Sequence, residues 1–333
     1  MSNANHRIGL IGTGYWGKNL LRNFDALNSL AGFFDVSAES RAKHASQYPG
    51  AQIFDSVDAL LGDTAIPAVA IATPAATHGE LVERALHAGK HVYVEKPLCL
   101  DVAEAESLKR VADKKGLILM VGHLLLYHPA FRALFETTRN GGLGELRYIY
   151  SNRLSLGKIR REENALWSFA PHDISMILKL AGGLPRRVIA TGANFLTAGV
   201  ADTTLSHLVL SGNLQAHIYV SWLHPFKEQK LVVVGEQAMV VFDDTKDAAE
   251  KLLLYRHRVG WDGELSIISK AAPEAVAFDA SEPLRNECQA FLDAIDGKSH
   301  PPSDAAEGIR VLRVLDACQR SILSGAAIDL DAE

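Results

Sequence analysis

Ile8-Gly9-Leu10-Ile11-Gly12-Thr13-Gly14-Tyr15-Trp16-Gly17 decides the fold. A short apolar run enters a turn whose glycines are spaced G-x-G-x-x-G, and the residues beyond it recur at helical spacing. In such a strand–turn–helix each glycine has its own task. Gly12 permits the tight turn, Gly14 lets the backbone approach a pyrophosphate, and Gly17 lets the helix pack closely on the sheet. The helix N-terminus then offers free N–H groups and the positive end of its dipole to phosphate. The pattern predicts the first unit of a dinucleotide-binding domain, with Gly12, Thr13, Gly14, Tyr15, Trp16 and Gly17 against the cofactor.

Outward from this turn, apolar runs alternate with amphipathic stretches. Strands are expected at 7–11, 30–34, 52–54, 68–72, 91–94 and 117–121, and helices at 15–28, 38–48, 56–61, 77–88 and 101–115. Regular alternation of this kind implies a doubly wound parallel sheet. Asp101 with Glu104 three residues on is a capping-box signature, and Gly89 and Gly116 stand where helices end. Asp35 closes the second strand, roughly 20 residues past the glycines, where a carboxylate takes the ribose hydroxyls and repels a 2′-phosphate. That favours NAD over NADP; the competing role for Asp35 is a cap on the helix at 38–48. Thr73, Pro74, Thr77 and His78 follow the strand at 68–72 and are expected beside the cofactor. Thr77 also reads as an N-cap and His78 as a helix-start residue. Glu95-Lys96-Pro97 follows Val92-Tyr93-Val94 at the carboxyl end of another strand, where open sheets of this type bind ligands.

From about residue 123 the pattern changes. A helix at 129–139 ends at Gly141-Gly142. Strand-like segments follow at 145–153, 186–196, 203–210, 214–221, 229–235, 238–243 and 251–256, interrupted by a helix at 165–181. Helices at 283–296 and 304–324 close the chain. Consecutive strands without intervening helices imply a mostly antiparallel open sheet in an α+β domain. The expected division is a Rossmann domain at 1–122 and a substrate-binding and oligomerisation domain at 123–333.

A chain of 333 residues, 48% of them hydrophobic, fills two cores. Its formal net charge of −5, without a basic block, argues against nucleic acid or an anionic membrane surface as a partner. Cys99, Cys288 and Cys318 fit neither a disulfide framework nor a zinc site, and the 13 histidines form no ligand-spaced cluster, so no metal is expected. No apolar run reaches the length of a membrane span, and the polar stretch 1–7 has no signal core. A cytoplasmic protein is expected.

In combination these motifs resemble the glucose–fructose oxidoreductase / inositol dehydrogenase (Gfo/Idh/MocA) family. The matching residues are the glycine turn, Thr73-Pro74 with Thr77-His78, Glu95-Lys96-Pro97, His172, Glu282-Pro283-Leu284 with Glu287, and Pro301-Pro302-Ser303-Asp304. The resemblance implies an NAD-dependent oxidoreductase with Lys96 and His172 beside the reacting carbon, and a second-domain sheet that forms a subunit interface in a homodimer or homotetramer. Many members carry an aspartate four residues before the histidine. Here that position is Ser168, which leaves Asp173 as the neighbouring carboxylate. Relatives also carry an arginine in the segment corresponding to 122–129; this chain has none there.

Arg153, Arg160, Asn164, Trp167, His172 and Asp173, with Ser221-Trp222-Leu223-His224-Pro225-Phe226-Lys227, resemble the nucleotide-sugar branch. The arginines suit a diphosphate and Asn164 a sugar hydroxyl or N-acetyl group. Within that branch the resemblance implies oxidation of the C3 hydroxyl of UDP-N-acetylglucosamine to a 3-keto sugar. A pyridoxal-phosphate aminotransferase would aminate that product toward a diamino-sugar lipid A. The corresponding uronate, a 3-keto-sugar reductase and a non-catalytic dinucleotide sensor are the alternatives. His172 as base with Lys96 on the nascent carbonyl oxygen, and the reverse division, both fit the residues.

Overall fold

The computed structural model describes residues 7–157, 159–161 and 163–330. Residues 1–6 of the polar N-terminal stretch lie outside the described residues. The chain separates into two units. The first is the chain up to Leu124 together with Glu282–Leu312; the second is Leu125–Ser281 together with the chain from Arg313.

The first unit alternates β1 (Ile8–Ile11), α1 (Gly17–Ala26), β2 (Leu30–Phe34), α2 (Ala38–Gln47), β3 (Gln52–Ile53), α3 (Val57–Gly62), β4 (Ala68–Ile71), α4 (His78–His87), β5 (His91–Glu95), α5 (Val102–Lys115) and β6 (Leu119–Gly122). The strands pair in parallel in the order β3-β2-β1-β4-β5-β6. This is the doubly wound Rossmann order, and its direction reverses between β1 and β4, where such sheets open a crevice for ligands. Helices cover both faces, so β1 and β4 are buried at every position and read as continuous apolar runs. Ser37, Ser56 and Asp101 cap α2, α3 and α5 through their side chains, and Gly116, at φ +65°, closes α5. Only half of the expected capping box forms. Asp101 accepts from the Glu104 N–H, while the Glu104 carboxylate lies against Gly79 at the start of α4.

Glu282–Leu312, which the sequence reading places after residue 123, groups with this first unit. Two contacts account for it. The helix at Pro283–Ile295 packs on α1, and the Val121 N–H donates to the Ser303 carbonyl oxygen at 2.8 Å, so 303–304 run beside β6.

The second unit holds α6 (Pro129–Arg139), β7 (Leu146–Leu154), α7 (Ala165–Ala181), β8 (Arg187–Ala193), β9 (Thr203–Val209), β10 (Gln215–Ser221), β11 (Glu228–Gly235), β12 (Ala238–Asp243), α8 (Ala248–Lys251), β13 (Leu252–Asp262), β14 (Leu265–Lys270) and β15 (Glu274–Ala275). The chain then runs through α9 (Pro283–Ile295) and α10 (Ala305–Ser324) to β16 (Ile328–Asp329). Among the described residues the sheet order is β14-β13-β12-β11-β7-β10-β9-β8-β16. Only β7 with β10 is parallel, so the sheet is mostly antiparallel as expected. Helix α7 packs on β7, β9 and β10. On β9 and β10 the buried positions alternate with accessible ones, and the face away from α7 exposes Tyr148, Ile189 and Leu205.

The β13–β14 hairpin extends well past the strand expected at 251–256. From Arg258 to Lys270 every residue is exposed, so no burial alternation marks this stretch in the sequence. Among the described residues no helix is long and apolar enough to cross a membrane.

Candidate active site

The glycine turn joins β1 to α1 at the reversal of the sheet. Gly12 has φ +91°, and a Cβ there would stand 2.8 Å from the Ala72 carbonyl oxygen. At Gly17 a Cβ would stand 2.0 Å from the Gly12 carbonyl oxygen, so the helix starts where only glycine fits. A Cβ on Gly14 would point into open space, and α1 begins without a side-chain cap. An uncapped helix start behind an open backbone crest fits a pyrophosphate. Gly17→Ala is expected to weaken NADH binding at least tenfold, or about 1.4 kcal/mol, in a fluorescence titration. Wild-type affinity in that variant would refute the assigned turn.

Asp35 holds this turn from the end of β2. Its Oδ2 accepts the Thr13 N–H at 2.7 Å and the Thr13 hydroxyl at 3.0 Å, and its Oδ1 accepts the Ser37 N–H at 2.9 Å. Ser37, not Asp35, caps α2. The carboxylate is partly exposed and still has lone pairs for the ribose hydroxyls. Arg41 donates to the Asp35 carbonyl oxygen at 2.6 Å, with its guanidinium 5.8 Å from the Phe34 ring centre. Tyr15 is 85% exposed at the tip of the turn, beneath Lys18.

Beyond β4 the expected cofactor residues split into two kinds. Thr73 and Thr77 are accessible and share a hydroxyl–hydroxyl bond of 2.7 Å. Thr77 occupies the N-cap position of α4, but its hydroxyl donates to the Pro74 carbonyl oxygen instead of capping the helix. His78 is buried, with Nδ1 2.7 Å from the Pro97 carbonyl oxygen and Nε2 2.9 Å from that of Thr73. Both ring nitrogens thus face backbone oxygens. His78 braces the segment after β4 against the segment after β5 and does not reach toward a cofactor. Burial, with the charge of Lys96 adding to it, pushes its pKa down.

Glu95 ends β5 and Lys96 follows it, both partly buried. The Lys96–Pro97 peptide bond is cis. The Trp16 indole N–H donates to Glu95 Oε1 at 2.5 Å, so the glycine turn and the lysine-bearing strand are joined directly. The Tyr93 hydroxyl lies between Glu95 and Glu287 of α9. Sequence reasoning assigned no role to this link, because its partners stand 194 residues apart.

In the second unit α7 presents Trp167, Ser168, His172 and Asp173. Asn164 caps it, its Oδ1 accepting the Trp167 N–H at 3.1 Å, and its amide donates to Gln319 of α10 at 2.8 Å. The Trp167 indole N–H donates to the same Gln319 oxygen at 3.2 Å. The Asn164 side chain is therefore engaged in the fold through its oxygen and one of its N–H groups. Gln319 was not foreseen, since nothing near it in the sequence marks it.

Arg153 departs furthest from expectation. It is 7% exposed, and its guanidinium forks onto Asp173, Nε to Oδ2 at 2.7 Å and an Nη to Oδ1 at 3.1 Å. The Ser151 hydroxyl adds a third donor to Asp173 at 2.5 Å. Ser151 and Arg153 alternate onto the inner face of β7, which brings both to α7. Arg153 is thus an internal ion pair and not a diphosphate ligand, and Asp173 is engaged with it. Arg160 is 41% exposed on its side chain and pairs with Glu163 at 2.6 Å. His172 is partly exposed, and Ser168 is buried one helical turn before it.

Residues 6–123 match a family model described as an oxidoreductase family with an NAD-binding Rossmann fold, and residues 131–241 match the GFO/IDH/MocA C-terminal domain. A UDP-N-acetylglucosamine 3-dehydrogenase of Acidithiobacillus ferrooxidans is 32% identical over 309 residues, covering 92% of this chain and 94% of that protein. A solved structure of the dehydrogenase of that name from the same organism superposes with a TM-score of 0.83, covering 95% and 97% of the two chains at 30% identity. An inositol 2-dehydrogenase of Rhizobium meliloti is 27% identical over 97% of this chain and 99% of its own length. The chain belongs to the Gfo/Idh/MocA family of NAD-binding oxidoreductases.

Proposed function

We propose that this chain oxidises the C3 hydroxyl of UDP-N-acetylglucosamine to the 3-keto nucleotide sugar. The observation that carries the reading is the likeness, along nearly the full length of both chains, to a dehydrogenase of that name. NAD bound at the glycine turn supplies the hydride acceptor. Gly12, Gly14 and the start of α1 take its pyrophosphate, Asp35 its ribose, and Tyr15, Trp16, Thr73 and Pro74 line it. Thr77 supports Thr73, and Glu95 supports Trp16.

Lys96 hydrogen-bonds the substrate oxygen and stabilises it as negative charge develops, while His172 accepts the hydroxyl proton. Ser168, standing where relatives have aspartate, carries no charge to stabilise an imidazolium. Asp173, the residue after His172, is engaged by Arg153. His172 takes the proton in its neutral form, the state a base requires. Arg160 and Trp167 complete the substrate set.

The product is a ketone beside an acetamido carbon, suited to amination by a pyridoxal-phosphate enzyme in diamino-sugar lipid A synthesis. The reaction belongs in the cytoplasm, where nucleotide sugars and NAD are made. The outer face with Tyr148, Ile189 and Leu205 is covered by a second copy in a homodimer or homotetramer.

The test follows NADH absorbance with NAD and a panel of nucleotide sugars, a coupled aminotransferase drawing the equilibrium forward. NADH formation with UDP-N-acetylglucosamine is the expected result. Formation with the uronate alone would replace the substrate, and none with any nucleotide sugar would overturn the reading.

A further inference from the structure

Tyr93 and Glu287 are both buried in the core of the first unit. The Tyr93 hydroxyl oxygen stands 3.0 Å from Glu95 Oε1 and 3.0 Å from Glu287 Oε2. A phenol carries one proton. It donates to one carboxyl group, and the other must then donate to it, so one of the two carboxyls holds a proton.

The surroundings decide which. Glu95 Oε1 also accepts from the Trp16 indole, Glu95 Oε2 accepts from the Lys96 N–H at 3.4 Å, and the Lys96 charge lies close by. Glu287 has no second donor, and its Oε1 is buried without a hydrogen-bond partner among the described residues. The groups facing it are Tyr93 and Glu95 from β5 and the Cys288 thiol beside it on α9. The nearby guanidinium of Arg22 on α1 is held by Glu282.

We propose that Glu287 is a positioning residue that sits as the neutral acid and donates its proton to Tyr93. Tyr93 donates in turn to Glu95, and a single negative charge stands beside Lys96. Burial, with the charge of Glu95 adding to it, drives Glu287 well above the usual carboxylate range. The chain Trp16–Glu95–Tyr93–Glu287 holds the phosphate turn and the lysine strand in one register. Its one anion stands beside the Lys96 charge that stabilises a negative oxygen. That consequence rests on the role given to Lys96 above; the protonation of Glu287 does not.

The test uses wild type, Glu287→Gln, Glu287→Leu and Tyr93→Phe. Infrared difference spectra between wild type and Glu287→Gln at pH 7 should show the C=O stretch of a protonated carboxyl group in wild type alone. Glutamine is neutral and donates an N–H, so Glu287→Gln should keep kcat within about threefold. Glu287→Leu and Tyr93→Phe should lower kcat about tenfold, with less change in KM, and, by weakening donation to the Glu95 carboxylate, move the acidic limb of the kcat profile to higher pH. A purely structural role would lower stability without moving that limb. An absent carboxyl band, or a Glu287→Gln profile displaced like that of Glu287→Leu, overturns the proposal. If the band is present but wild type oxidises no nucleotide sugar, the proposed reaction falls and the protonated ladder stands.

Discussion

Lys96→Met is expected to lower UDP-N-acetylglucosamine-dependent NADH formation by about a thousandfold while leaving NADH affinity within about twofold. Methionine keeps the length and apolar stem of lysine and removes the charge. The glycine turn is built from Gly12, Thr13, Asp35 and Trp16, none of which needs the lysine ammonium. Binding and turnover should therefore separate. Measuring both on one preparation makes the prediction sharp: near-normal turnover would remove Lys96 from the chemistry, and joint loss of binding and turnover would make it a structural residue.

Arg153→Met is expected to destabilise the protein by about 3–5 kcal/mol, read as a lower urea midpoint. It leaves the Asp173 carboxylate buried with Ser151 as its remaining side-chain donor. The double variant Arg153→Met/Asp173→Leu should recover more than half of that loss, because replacing a buried pair with apolar groups is often nearly neutral. The cycle separates two accounts of Arg153. As a diphosphate ligand it would raise KM on removal and leave the midpoint unchanged; as an internal ion pair it shifts the midpoint first.

The contrast between these residues shows what the sequence made legible. The glycine turn could be read because its chemistry is local: a strand, a turn and a helix within ten residues. The parallel sheet could be read because strands buried on both faces leave unbroken apolar runs, as in Ala68–Ile71. Arg153 was misread because a charge in a polar stretch looks the same whether its partner is solvent or Asp173 on a helix packed behind the strand. The capping role of Asn164 went unread in the same way, since an N-cap and a sugar contact ask for the same amide. The β13–β14 hairpin was invisible because neither of its faces is buried. Glu287 was noticed as part of a motif, but its task depends on a phenol far back in the chain.

The discontinuity of the first unit also matters for synthesis. During translation the chain up to Leu124 emerges with all six parallel strands, yet the helix that brings Glu287 to Tyr93 is still unmade. The span Leu125–Ser281 must be synthesised first, on the order of ten seconds at typical ribosome speeds. Throughout that interval the Tyr93 face of the sheet lacks its α9 cover, and the nascent protein offers an apolar surface to whatever chaperone meets it. The strands are complete early, but the unit that binds the cofactor closes only after the whole span Leu125–Ser281 has been made.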